Sequence, residues 1–143
     1  MPDSISVRTM LLQLFRQAAW APIAVLLFHA LMVRTPYRVQ FDGVHHFLGG
    51  VTISYFLLKS VCIASPIIGS LRPVGTYLFA FALACAAAVF WEIAEFAADQ
   101  FFGTHIQITL TETMGDLIFG VAGAASTLLL MALFQTFRLK NQP

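Results

Sequence analysis

Charge is what this chain has least of. Asp, Glu, Lys and Arg make up 10% of its 143 residues, against about 25% in a typical soluble domain. The apolar residues, 59% of the total, fall in blocks, which excludes an ordinary soluble core and leaves a polytopic membrane protein. Net charge is +1, and with no basic patch there is no electrostatic footprint for nucleic acid. The two cysteines, Cys62 and Cys85, both lie in apolar runs, so they read as small packing residues and exclude a disulfide framework. The sequence has no phosphate-cradling glycine loop, nucleophile elbow, Cys/His finger spacing, repeat or low-complexity segment. No small-residue cleavage site follows the first apolar run, and Pro36-Tyr37-Arg38 stands there instead, so this run reads as a retained helix and not a signal peptide.

What is present is a set of four hydrophobic runs, each long enough to approach the roughly 20 residues that cross a bilayer. The expected fold is an all-α membrane protein, a four-transmembrane-helix bundle in a single domain. The spans are placed at about 18–33, 44–64, 74–102 and 113–137. Pro22 sits in the first turn of the first span, where proline is tolerated; the second ends before Pro66 and the third stops at Gly103. Ahead of them, 5–17 sets Arg8, Gln13, Arg16 and Gln17 against Met10, Leu11, Leu14 and Phe15. That pattern predicts a short amphipathic interfacial helix. Trp20, Trp91 and Tyr37 read as interface anchors or packing groups, and the 14 phenylalanines as lipid-facing surface.

The basic residues orient the bundle. Arg8, Arg16, Lys59, Arg72, Arg138 and Lys140 mark one side, whereas Arg34 and Arg38 fall on the other. The connection from Gly103 to Thr113 has neither Lys nor Arg. The positive-inside rule then puts both termini in the cytoplasm of a bacterial inner membrane. Six of the seven acids and all four histidines consequently land near the outer leaflet.

Glu92 and Glu95 interrupt the third run, and a carboxylate in hydrocarbon needs a partner, a proton or a metal. Glu92, Glu95 and Asp99 share a helix face at i, i+3 and i+7; Asp42 and His46 share another at i, i+4; Asp116 opens the fourth span beside Glu112. Each polar stripe continues inward as small residues: Gly49, Gly50 and Ser54; Ala88 and Ala84; Gly120, Gly123 and Ala124. Such residues let membrane helices approach closely, so Asp42, His46, Glu92, Glu95 and Asp116 are expected to meet. Carboxylates with one imidazole suit a divalent Mg, Mn, Fe or Zn ion, and a bound ion would activate water at neutral pH. Glu95, nearest the outer surface, and His46 are the candidate acid/base groups; Arg34 and Arg38 could hold the head group of a lipid-linked substrate. His45, about 100° from His46 on the wheel, is expected at the lipid or interface. His29 reads as a lone polar group, and His105, Glu112 and Asp99 as loop or helix-end groups.

The segments Asp42-Gly-Val-His-His46-Phe-Leu-Gly-Gly50, Trp91-Glu-Ile-Ala-Glu95, Gly103-Thr, Thr111-Glu-Thr-Met-Gly-Asp116 and Ala-Gly123-Ala124 resemble the YjdF-like family of bacterial inner-membrane proteins. More distantly they are similar to VanZ-like membrane proteins. The resemblance covers roughly 40–125 and implies a multi-pass protein whose polar cluster uses Asp42, His46, Gly50, Glu92, Glu95, Thr113, Asp116 and Gly123. Glu112 and Gly120 depart from the family's usual Asp and Asn, and the VanZ-like arginine between the third and fourth helices is absent.

Three readings remain open. The first is a metal-dependent site acting on or binding a lipid or envelope precursor. The second is a proton-coupled transporter or relay, which four short helices could form only as a homo-oligomer. The third is a non-catalytic scaffold whose polar cluster fixes helix register.

Overall fold

A computed structural model describes residues 6–32 and 34–140, with the side chains of 38 and 138–140 left aside. Ile5 and Val33, the ends expected for two elements, and the side chains of Arg138 and Lys140 fall outside the described residues. Every described element is helical. In chain order they are α1 (Val7–Leu14), a π-helical turn (Phe15–Ala19), α2 (Trp20–Met32), α3 (Arg38–Ile68), α4 (Pro73–Phe102) and α5 (Leu110–Lys140).

Four helical stretches are long and apolar enough to cross a membrane: Val7–Met32, Val39–Ile68, Pro73–Phe102 and Leu110–Phe137, with mean hydropathies of 1.5, 1.7, 1.9 and 2.2. Large apolar side chains point outward along them, with Phe101 and Phe102 each 82% exposed. An outward apolar surface of that extent is what lipid requires and water penalises.

The amphipathic segment and the first span are joined into one continuous helix. At the junction the π-helical turn shifts the backbone hydrogen-bond register, the usual cause of a local bulge. The Gln17 carbonyl there accepts from Trp20 Nε1 and from Tyr55 Oη, both at 3.2 Å. Tyr55 lies on α3, so this contact fastens the first helix to the bundle.

The second span is longer than its hydropathy indicates. α3 starts at Arg38 and runs through Pro66 to Ile68. Pro66 is tolerated because only the last turn lies beyond it. Gly69, at φ 88°, then ends the helix. At 31 residues, α3 is about 46 Å long, well beyond the roughly 30 Å hydrocarbon core. Asp42 and His46 are therefore both firmly helical, one and two turns from its start. Gly103, in the left-handed region at φ 65°, closes α4.

Packing in lipid draws on close backbone approach and not on hydrophobic exclusion. The α3–α5 crossing is the tightest. A Cβ on Gly50 would overlap the Gly120 carbonyl oxygen, and one on Gly123 would overlap the Phe47 carbonyl oxygen. On α4, Ala88 faces Gly120, and Ala80 and Ala84 are 0% and 2% exposed. Leu58, Ala80 and Leu128 form the apolar core nearer the opposite end, walled by Tyr77, Phe81 and Met131. Hydroxyls within the bundle are satisfied locally: Ser54 Oγ donates to the Val51 carbonyl at 3.0 Å and Thr127 Oγ1 to the Gly123 carbonyl at 2.9 Å.

Candidate functional site

The start of α3, the end of α4 and the start of α5 share one end of the bundle, because α3 and α4 run antiparallel, as do α4 and α5. His46 stands at the centre of what they bring together. Its Nε2 lies 3.8 Å from Asp42 Oδ1 and 3.8 Å from Asp116 Oδ2, and its Nδ1 lies 3.4 Å from Glu92 Oε1. Glu92, Glu95 and Asp116 are buried, at 6%, 9% and 8% exposure. Two groups have ligand atoms close enough to share an ion: Asp42, His46 and Asp116, and His46, Glu92 and Glu95. All five residues singled out in the sequence thus converge on one ring.

The two faces of that ring see different surroundings. Asp42 and Asp116 border an open cleft of about 490 Å³ between α3, α5 and the α4–α5 connection. On another side His46 borders a cavity of about 220 Å³ with His29, His45, Trp91, Gly49 and Gly50, beside α2.

The supporting contacts were not legible in the sequence. Gln107, in the α4–α5 connection, donates from Nε2 to the Glu92 backbone carbonyl at 3.0 Å and to Glu92 Oε2 at 3.1 Å. Asp99 shapes that connection by accepting from Thr104 Oγ1 at 2.5 Å, the Ile106 N–H at 2.6 Å and the Gln107 N–H at 2.8 Å. It serves the site through Gln107 and is not a member of the cluster. Glu112 is likewise structural. Its N–H donates to Thr109 Oγ1 at 3.1 Å and its Oε2 accepts from the Ile108 N–H at 2.9 Å, close to a capping box at the start of α5. Trp91 is more than an anchor, because its Nε1 donates to Glu95 Oε1 at 2.8 Å.

His45 corrects the expectation of a lipid-facing side chain. It is 8% exposed and turned into the bundle, with its ring centroid 4.6 Å from His29 and 5.1 Å from Phe28. His29 in turn meets Trp91 edge-on at 5.8 Å. The first helix covers this flank of α3, and α1–α2 packing is invisible to a wheel drawn for α3 alone. Gly49 also departs from the expected stripe: a Cβ there meets nothing within 4 Å, so it borders space and not a neighbouring helix.

Arg34 is exposed and its N–H donates to the Leu31 carbonyl at 3.3 Å. None of the ion pairs among the described residues includes it. Arg38 opens α3, one turn before Asp42, and its side chain is outside the described set.

Fold and site together define a four-span membrane protein with carboxylates gathered about a histidine at one end. The chain belongs to the family described as "Predicted membrane protein (DUF2238)", whose model matches residues 9–137. It is similar to an uncharacterized protein of Thermotoga maritima, 36% identical over 83 residues, which are 57% of this chain and 42% of that relative. The chain thus spans less than half the length of the curated relative it matches. No solved structure matches it.

Proposed function

We propose that this chain binds one divalent ion between Asp42, His46 Nε2 and Asp116, and uses it on a lipid-linked or envelope precursor at the outer leaflet of a bacterial inner membrane. Both termini are then cytoplasmic. One observation carries the reading: each nitrogen of His46 faces carboxylate. The 3.8 Å separations from Nε2 to Asp42 and Asp116 are too long for hydrogen bonds. Ligand atoms of the three residues nonetheless lie near enough together to share an ion. The opposite nitrogen, Nδ1, faces Glu92 Oε1 at 3.4 Å. A histidine ligand normally has its second nitrogen held by a carboxylate in this way, which fixes the tautomer and the ring. Glu92 is held in turn by Gln107.

Mg, Mn, Fe and Zn all accept two carboxylates and an imidazole. The ion would supply a polarised water or substrate oxygen facing the open cleft. Glu95, kept in place by Trp91, is the proposed proton acceptor, with His46 positioned by Glu92. Arg34 and Arg38, on the outer side of the first two spans, would meet an anionic head group. Membrane lipid is then the partner and nucleic acid is not. By the motifs around Asp42, Glu92 and Asp116 the chain resembles YjdF-like proteins and, more distantly, VanZ-like ones.

A second reading draws on the same ring. With carboxylates on both sides, His46 would pass a proton from Asp116 to Glu92, as a relay in a homo-oligomeric transporter. Elemental analysis of protein purified in mild detergent separates the two. The metal reading expects about one ion per chain, lost in Asp116→Asn; a relay expects no stoichiometric metal, with ion coupling lost in the same variant. An unchanged phenotype accompanied only by lower stability would leave the cluster as a scaffold.

A further inference from the structure

Two cations stand inside apolar spans. Arg16 belongs to Val7–Met32 and Lys59 to Val39–Ile68, and an ionised side chain in such a position needs a counter-charge. None of the ion pairs among the described residues includes either one; all of them involve His46. The described carboxylates (Asp42, Glu92, Glu95, Asp99, Glu112 and Asp116) all belong to the opposite end of the bundle.

The two cations share one helix crossing. Arg16 and Gln17 lie in the π-helical turn, and the Gln17 carbonyl accepts from Tyr55 Oη at 3.2 Å. Lys59 is one turn along α3 from Tyr55, with Nζ 5.8 Å from the centroid of that ring. The ammonium is thereby turned back toward the middle of the span. A snorkelling lysine would instead reach out toward the end of α3 at Ile68. The Tyr55 ring offers it an electron-rich face but no net charge. Lys59 is half-buried and Arg16 exposed, so both are reached from outside the bundle. The surroundings face lipid, with Phe15 and Trp20 65% and 60% exposed. Trp20 Nε1 and Tyr55 Oη already donate to Gln17, so what the crossing offers a ligand is positive charge.

We propose that Arg16 and Lys59 hold the phosphate of an anionic phospholipid against the first helix, on the side of the membrane opposite the carboxylate ring. A guanidinium takes phosphate oxygens in pairs, and an ammonium meets them as a point charge. A zwitterionic head group carries its own cation and gains less. Such a lipid site requires neither an ion at His46 nor a particular orientation of the chain in the membrane.

Trp20 stands at this crossing, its ring centroid 6.1 Å from that of Tyr55, and its fluorescence reports on the site. The protein is placed in phosphatidylcholine nanodiscs containing a minor fraction of chain-brominated phosphatidylglycerol or chain-brominated phosphatidylcholine, with Trp20→Phe giving the Trp91 background. Brominated phosphatidylglycerol is expected to half-quench Trp20 at a mole fraction roughly tenfold below that of brominated phosphatidylcholine. Arg16→Gln/Lys59→Gln should remove the preference and Lys59→Arg should keep it. Arg8→Gln/Arg72→Gln, which discharges two other cations of the same end, should leave most of it. Excess inorganic phosphate should not displace the lipid. Equal quenching by the two lipids in the parent overturns the proposal. A preference lost equally in the Arg8/Arg72 variant overturns it too, because a diffuse field and not a site would then be at work. Abolition by inorganic phosphate would mean a site for a soluble anion and also overturns it. If the double variant fails to fold, Arg16→Gln alone, at an exposed position, is expected to cut the preference severalfold, and an unchanged preference there overturns the proposal.

Discussion

The Gln107 side-chain amide donates to both the backbone carbonyl and Oε2 of Glu92. A connection outside the membrane thereby fixes a carboxylate inside it, and through that carboxylate the His46 ring 3.4 Å away. Removing the amide leaves a buried carboxylate short of a donor.

Gln107→Leu is therefore expected to lower stability by about 1–3 kcal/mol and to weaken divalent-ion affinity by roughly 10–100-fold. Unfolding in detergent and calorimetric titration with Mn²⁺ measure the two effects. A variant with parental ion affinity would show that Glu92 does not orient His46.

Asp99 acts one step further out. With Asp99→Asn, the Ile106 and Gln107 amides lose a charged acceptor. Hydrogen exchange at 104–107 should accelerate while exchange in α3 and the core of α5 stays parental. Unchanged protection in the connection would remove Asp99 from this role.

The neighbouring glycines of α3 should behave oppositely. Gly50→Ala places a methyl against the Gly120 carbonyl, with backbone and not side chain in the way, and is expected to prevent the α3–α5 crossing. Gly49→Ala meets nothing within 4 Å and should be neutral or up to about 1 kcal/mol stabilising. Thermal unfolding of both variants decides this; equal effects would contradict the packing described.

Orientation is open to direct labelling. A single cysteine at Ile106, in a chain with Cys62 and Cys85 replaced by alanine, should react from the periplasm with a membrane-impermeant maleimide. One at Arg72 should react only after the membrane is opened. The reverse pattern would put the carboxylate–histidine end in the cytoplasm.

The four spans and the five converging residues were legible because both rest on helical periodicity and hydropathy, which the membrane enforces strictly. Asp42 and His46 are one turn apart on a helix whichever residue begins it, so the six-residue error at the start of α3 did not disturb their face. His45 was misread for a different reason. Its burial depends on where a separate helix lies, and periodicity within α3 carries no such information. Gln107 sits in a connection with no period at all, positioned by three hydrogen bonds to Asp99. Gly49 and Gly50 look identical in sequence; only the rotation of α3 about its axis decides that Gly50 meets α5 while a Cβ on Gly49 would meet nothing.

The most direct test of the central claim is pulsed electron paramagnetic resonance on chelator-stripped protein reloaded with Mn²⁺ at one equivalent. An ion held by Asp42, His46 Nε2 and Asp116 predicts a single histidine-nitrogen coupling, absent in His46→Gln and retained in His45→Phe. Mn²⁺ that stays free, or a coupling that survives loss of the His46 imidazole, would contradict it.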